Sequence, residues 1–528
     1  MLKRASPTKE GPNEGKKIAA PAEPRLDASA AAPSLRELLA RAERLALAGE
    51  DAEATALFDD IVERAAREKA IKAAADALDW LSWLALVELD GDRARAVAER
   101  IRRLALPATS REAFRLHVSR ATQTLQLGDA ATAAAILEDA EHHSRDADIE
   151  SFTSYLALKA DVFCSLGQPE EALGYARLAA DIMAKRADPQ LRWRRQLYLA
   201  HCLHAASRLG ESYKAYVVAE ELARAAELTW EVPFTQARAA WIALLLGRVS
   251  QAREMSAACF ESRCSQRWMT VTRSWVGIFV GLACSDDELV AKAADFESLQ
   301  VALRCADYYS IGPAVAAFHA YLQHAGREAE GQTLLETGIA RLPSPDCGWA
   351  LFAAVAGHGP PLAVERAEML LAKFPREHRF AEAHRRLFAA IIAARRGAQA
   401  ESERCAGEAQ LLFEDIECRF YAARCLEVAG RLSEAHRCYV AMGATGDARR
   451  VAHARGRRGR PSRAYEASRE RREILRLLLD GQTSVAIAQR LGVSARTIKK
   501  RIADIYDAEG VTTRAELRAR KRGHELGE

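Results

Sequence analysis

The sequence predicts an all-α protein in which a long α-solenoid precedes a compact four-helix unit. Three observations carry this. Ala and Leu lead an apolar fraction of 49%, while aromatics make up only 7%, a balance that favours helix over strand. A spacing of small residues suited to helix hairpins recurs through most of the chain. From Ser468 to about Lys521 the sequence breaks into short amphipathic segments, most of them opened by a capping residue and closed by glycine. At 528 residues the chain exceeds one domain, and about three are expected.

Residues 1–34 are rich in Pro, Lys, Glu and Ala, with almost no large apolar side chains. Burial there cannot offset the entropy of ordering, so a disordered arm is expected. Gly11–Lys17 (GPNEGKK) resembles a phosphate loop only superficially. It lacks the GxxxxGK[ST] spacing and the hydroxyl residue, and no strand precedes it.

Residues 35–446 repeat one unit. A helix ends on a small residue, a second small residue follows five positions later, and a bulkier one usually comes a turn after that. Gly49/Ala54/Phe58, Gly91/Ala96, Gly128/Ala133/Leu137, Gly167/Ala172/Ala176, Gly247/Ala252 and Gly430/Ala435/Tyr439 follow it, with Ser207/Ser212/Tyr216 and Gly326/Gly331/Leu335 as looser copies. Glycine accepts the conformation that ends a helix tightly. The next small residue marks a close helix crossing, and the bulky one shares its face and fills the gap between neighbours. A single hairpin cannot bury its stripe, so copies stack. The segment Leu166–Ala176 (LGQPEEALGYA) resembles a tetratricopeptide repeat. The copies are longer than that family's ~34 residues, recurring about every forty, and the family's Trp and terminal Pro are mostly missing. The resemblance implies a tetratricopeptide-like solenoid of roughly nine or ten helix pairs, less regular between Ser256 and Ala381. Its concave groove would take an unknown protein or small-molecule ligand. Trp80, Trp83, Tyr308 and Tyr309 are aromatic candidates for lining that groove, although such residues more often pack repeats together.

Charge is divided unevenly. Residues 447–528 carry 21 Lys and Arg against 11 Asp and Glu, whereas residues 1–446 carry 55 against 61. A mildly acidic body thus bears a basic C-terminal part, which suits a polyanionic partner. Eleven cysteines between Cys164 and Cys438 include no CxxC pair, so reduced core thiols are expected. No apolar run reaches the ~18 residues of a membrane span, and no signal-peptide core is evident. A cytoplasmic protein, nucleoid-associated when bound to DNA, is expected, with no membrane partner. No metal-spaced His/Cys set or nucleophile elbow appears. His142-His143 diverge by about 100° on a helix and make a poor chelate. Neither a metal, a cofactor nor a catalytic site is expected.

Residues 447–467 gather Arg449, Arg450, Arg455, Arg457, Arg458, Arg460 and Arg463 around Pro461 and several glycines, and are expected to be a flexible basic linker. Arg458-Gly459-Arg460-Pro461 is similar to the core of an AT-hook, whose arginines lie in a narrow minor groove. Phosphate attraction by a solvated linker is the competing reading.

Residues 468–522 divide at cap residues, with a disordered tail at 523–528. Ser468 opens a helix with an apolar stripe of Ile474, Leu475, Leu478 and Leu479, ended by Gly481. Thr483 opens a short second helix burying Ile487, Ala488 and Leu491. Gly492-Val493 turns the chain, and Ser494 opens a third helix that buries Ile498, Ile502 and Ile505. Thr513 and Glu516 have capping-box spacing for a fourth. At about 100° per residue, Arg496, Lys500, Ala503 and Asp507 point away from Ile498, with Lys499 and Arg501 flanking. A cationic helix after a short helix and turn is the arrangement of a helix-turn-helix DNA reader.

The residues Glu473–Leu475, Gly481, Ile487–Ala488, Leu491, Ser494, Thr497–Lys499, Ile505, Gly510–Val511, Arg514 and Glu516 make this segment similar to the LuxR-type (GerE-type) domain of bacterial transcription regulators. The resemblance places Lys499 and Lys500 against bases, with Ala503 one turn later, and Arg496, which the helical rotation puts on the same outward face, is a further candidate base contact. Thr483, Ser484, Ser494, Thr497 and Arg501 are candidate phosphate contacts, and Arg458 and Arg460 form a possible minor-groove arm. Departures include Ala467–Arg471 for the usual LTxRE opening, Val485-Ala486 for a polar pair, Arg501 for a histidine, and Ala508-Glu509-Gly510 for KLG. Many large regulators with this layout carry an N-terminal ATPase, but no phosphate loop is present here. The expectation is a transcription regulator that binds double-stranded DNA as a homodimer, its repeats sensing a partner or mediating oligomerisation. A helical-repeat scaffold attached non-specifically to nucleic acid is the alternative.

Overall fold

A computed structural model describes residues 33–104, 111–186, 188–228, 231–262, 266–305, 310–342, 348–373, 378–458, 473–509 and 511–518. Among them every regular element is a helix. The body runs from α1 (Leu35–Leu47) to α24 (Thr445–Arg458). Its start is sharp. The Ser34 hydroxyl accepts the Glu37 N–H, and the Glu37 carboxylate accepts the Ser34 N–H at 2.7 Å. Ser34 therefore belongs to the first helix rather than to the expected arm, the rest of which lies largely outside the described residues.

Eleven helix hairpins are present among the described residues, one more than the upper expectation. Two helices stand unpaired, α15 (Phe296–Cys305) and α24. The hairpin turns work as the spacing implies. Gly49, Gly128, Gly167, Gly247 and Gly430 have φ between +75° and +86°. At Gly128 the Asp129 N–H reaches back to the Thr124 carbonyl at 3.2 Å, absorbing an acceptor that the helix end would otherwise leave open. The small residues five positions on, Ala54, Ala133, Ala172, Ala252 and Ala435, are all fully buried. Phe58, Leu137, Tyr216 and Tyr439 fill the layer behind them.

One copy was displaced and another unrecognised. Gly91 opens α4 (Gly91–Arg103) and Ala96 is exposed. The turn residue is Leu89, at φ +51°, and the crossing residue is Ala94. A leucine in the left-handed region has no sequence signature, whereas the nearby glycine mimics one. Gly397/Ser402/Ala406 is a further copy, hidden because serine occupies the crossing.

The array coils back on itself. Arg267 of α13 (Arg267–Cys284) lies 3.3 Å from Glu88 near its beginning, and the Thr445 hydroxyl donates to the Cys284 carbonyl at the same helix's other end. His204 of α9 (Pro189–Ala205) meets Phe380 of α20 (Arg379–Arg395), ring centroids 5.6 Å apart. A Cβ on Gly446 would sit 1.9 Å from the Leu282 carbonyl oxygen, so only glycine allows this approach. Trp80 stacks on Phe58 at 5.8 Å and donates to Glu43, while Trp83 meets Trp80 edge-on. The pair packs repeats together. Tyr308 and Tyr309 lie outside the described residues.

The linker expectation is corrected over its first half. Residues 445–458 form α24, and it is docked. Arg450 is held by Glu427 and Asp447, and Arg424 lies 2.7 Å from the other Glu427 oxygen. Burial pushes the Glu427 carboxyl up, but Arg424 and Arg450 outweigh it and hold the group down at about 2. Arginines that look like a solvated run in sequence are therefore partly structural, because Asp447 and Glu427 supply counter-charges the local pattern does not reveal.

The C-terminal domain contains α25 (473–479), α26 (Ser484–Leu491), α27 (Ala495–Glu509) and α28 (514–518). Its core is Ile474, Leu477, Leu478, Ile487, Ala488, Ile498, Ile505 and Leu517. The stripe of α25 is rotated slightly from expectation, with Leu477 buried and Leu475 and Leu479 partly so. Ser468 lies outside the described residues.

Candidate nucleic-acid interface

The turn between α26 and α27 is built by local hydrogen bonds. The Thr483 hydroxyl accepts the Ala486 N–H at 3.2 Å and so caps α26. Gly492 closes that helix at φ +66°. The Ser494 hydroxyl accepts the Thr497 N–H at 3.1 Å and lies 2.8 Å from the Thr497 hydroxyl. A hydroxyl that accepts a cap bond keeps its proton, so Thr483 and one member of the Ser494–Thr497 pair retain a donor for an external acceptor. Thr483 and Ser494 are exposed, and Ser484 and Thr497 are half-buried.

Ile498 is fully buried and Ile505 nearly so, which fixes the rotation of α27. Arg496, Lys499, Lys500 and Ala503 are then all exposed. Among the described residues none of those three cations has an ion-pair partner, whereas Arg476 of α25 pairs with Glu473 at 2.7 Å and with Asp480 at 3.5 Å. Asp504 is exposed one turn beyond Lys500, so positive charge is confined to the N-terminal half of the face. Arg501 stands apart. It is half-buried with Nη1 enclosed, which draws part of the guanidinium inward from the surface expected for it. Arg458 is the last residue of α24, helical rather than an extended arm, and Arg460 lies outside the described residues.

Two arginines whose structural role the sequence did not reveal brace the domain. Arg514 donates to the carbonyls of Gly481 (3.1 Å) and Gln482 (2.5 Å), and Arg518 donates to the Leu479 carbonyl at 2.8 Å. They tie α28 to the turn that delivers α26, satisfying carbonyls at the end of α25. The fourth cap differs by one residue from expectation: Glu516 accepts from the Thr512 N–H at 2.7 Å, while the Thr513 hydroxyl accepts from Glu516.

Elsewhere, no group of His, Cys, Asp or Glu among the described residues is placed to hold a metal ion. His143 stacks on His117 at 5.8 Å instead of standing free on the surface. Eight described cysteines are unbridged, six of them buried. No described helix is long and apolar enough to cross a membrane.

Residues 466–513 match the family model of a homeodomain-like domain, so a helix-turn-helix of that type lies at the C-terminal end. No curated protein matches the chain. Among solved structures, the chain is similar to a Rap protein complexed with competence and sporulation factor (13% identity, TM-score 0.39, covering 76% of this chain and 99% of that one). It is also similar to the apo form of RapI (11%, 0.35, 76% and 97%) and to the apo quorum sensor NprR from B. thuringiensis (12%, 0.37, 71% and 99%).

Proposed function

We propose that this chain is a bacterial transcription regulator of the LuxR type that binds operator DNA through α27. The observation that carries the reading is the exposed, unpaired cationic face of Arg496, Lys499 and Lys500 at the helix's N-terminal half, the half that meets base edges in helix-turn-helix proteins. Ala503 allows the helix to approach the groove floor. Thr483, Ser484, Ser494 and Thr497 lie at the helix N-termini beside this face, where hydroxyls and N–H groups suit phosphate oxygens. Arg501 contributes through whichever part of its guanidinium faces outward. One domain of this size covers a half-site, so a homodimer gains by linkage. The repeat array would sense a protein or small-molecule ligand and govern the pairing of the two DNA-binding domains, in the cytoplasm.

Selection of DNA from a random pool by the full chain tests this. The expected result is a defined operator whose preference relaxes in Lys499→Ala and Lys500→Ala. Binding with a steep salt dependence but no base preference would instead support non-specific attachment and overturn the reading.

A further inference from the structure

The middle of the array contains arginines that its own carboxylates do not balance. α9 and α11 (Glu231–Leu245) have no exposed residue between Leu191 and Ala205 or between Glu231 and Leu245. Arg194, Arg195 and Arg238 lie on these stretches, and among the described residues none has an ion-pair partner. Arg194 lies over the Trp83 ring at 5.8 Å. Arg195 is 3% exposed; it donates to the Ser154 hydroxyl, and its Nε has no partner. Burial pushes its guanidinium down to about 10, which leaves it charged at neutral pH. Arg238 adjoins Tyr216, His201 and His204. Burial first and Arg238 second hold His204 down at about 3, so that ring adds no charge at neutral pH. Asp161 faces the cluster at 4.0 Å from His201, and Glu150 approaches Arg195 only from an exposed helix turn. Tyr198 lies among Arg194, Arg195 and Asp161.

Enclosed cations without counter-charge are costly, and other half-buried arginines of the array meet carboxylates or carbonyls: Arg100 faces Asp59, Arg115 lies 2.6 Å from Asp76 and 2.8 Å from Asp79, and Arg366 donates to the Ile339 and Ala340 carbonyls. We propose that the interior between α9 and α11 is a binding site for a small anionic ligand, a carboxylate or phosphoryl compound, met by Arg194, Arg195 and Arg238. Guanidinium forks match both oxyanions. The Tyr198 and Tyr216 hydroxyls supply neutral donors. This inference rests on the reading of the array as the sensing part.

Isothermal titration of the full chain with citrate and with inorganic phosphate, without DNA, tests it. At least one should bind with one-to-one stoichiometry, and the stronger of the two identifies the head group. Arg238→Gln and Arg194→Gln should each weaken that binding about tenfold or more. Removing the unbalanced charge should also raise the melting temperature of the ligand-free Arg238→Gln protein. Arg194 is half-buried and lies over the Trp83 ring, and its variant keeps the test valid should Arg238→Gln not fold. Absence of binding by both anions, or equal affinity in the variants, overturns the site. Operator selection measured on the same preparations shows separately whether the DNA reading stands.

Discussion

In the helix array Arg115 bridges Asp76 and Asp79 and Arg450 is clamped by Glu427 and Asp447, whereas in the C-terminal domain Arg496, Lys499 and Lys500 stand in solvent with no ion-pair partner among the described residues. Both regions use the same residue types, but the consequences differ. A paired, partly buried cation holds helices together, and losing its partner leaves a charge that must be resolvated. An exposed, unpaired cation contributes little to folding and is free to meet an external polyanion. Position in the fold therefore separates charge used within the structure from charge left open to a partner, where composition cannot.

The largest expected effect lies on the array side. Glu427→Ala leaves Arg424 and Arg450 facing each other, with Asp447 still beside Arg450, and should destabilise the array by roughly 2–3 kcal/mol, read by denaturant unfolding. The same clamp has a pH signature. The Glu427 carboxyl falls from its usual 4.5 to about 2 on folding, so its contribution is fully present above 4.5 and is lost as pH falls toward 2. Acid unfolding monitored by circular dichroism should show less loss across that window in Glu427→Gln than in the unaltered chain.

Lys499→Ala and Lys500→Ala should do the opposite. Each is expected to cost about 1–3 kcal/mol of base discrimination while changing stability by no more than ~0.5 kcal/mol. A large loss of stability in either variant would erase the distinction between the regions. Thr483→Ala should cost about 1 kcal/mol of domain stability through the lost cap, together with a modest affinity loss if its hydroxyl meets phosphate. The smallest effect is expected at Arg496→Gln, where the slope of log affinity against log salt should fall by about 1.

Much of this architecture was legible because it rests on local rules. Gly128, Ala133 and Leu137 announce a turn, a crossing and a filler at fixed spacing, and Ile498 with Ile505 sets the rotation of α27. What escaped depends on partners distant in sequence or on residues used against type. Leu89 adopts a glycine's conformation, Ser402 stands where alanine is usual, and Arg450 finds Glu427 across 23 positions. Arg501 illustrates the limit for the interface. Its helical angle places it at the edge of the cationic face, but only packing decides how much of a long side chain turns inward.

The docking of α24 has a consequence for any operator complex. With residues up to 458 fixed to the array, only positions 459–472 join it to α25. Fully extended, that contour spans at most roughly 50 Å. Half-sites one helical turn apart are separated by about 35 Å. Two arrays can therefore share an operator only while their anchor points lie within roughly 135 Å of each other. If the array regulates DNA binding as proposed, its signal would have to hold the two bodies beyond that range, shield α27, or change whether the bodies associate at all.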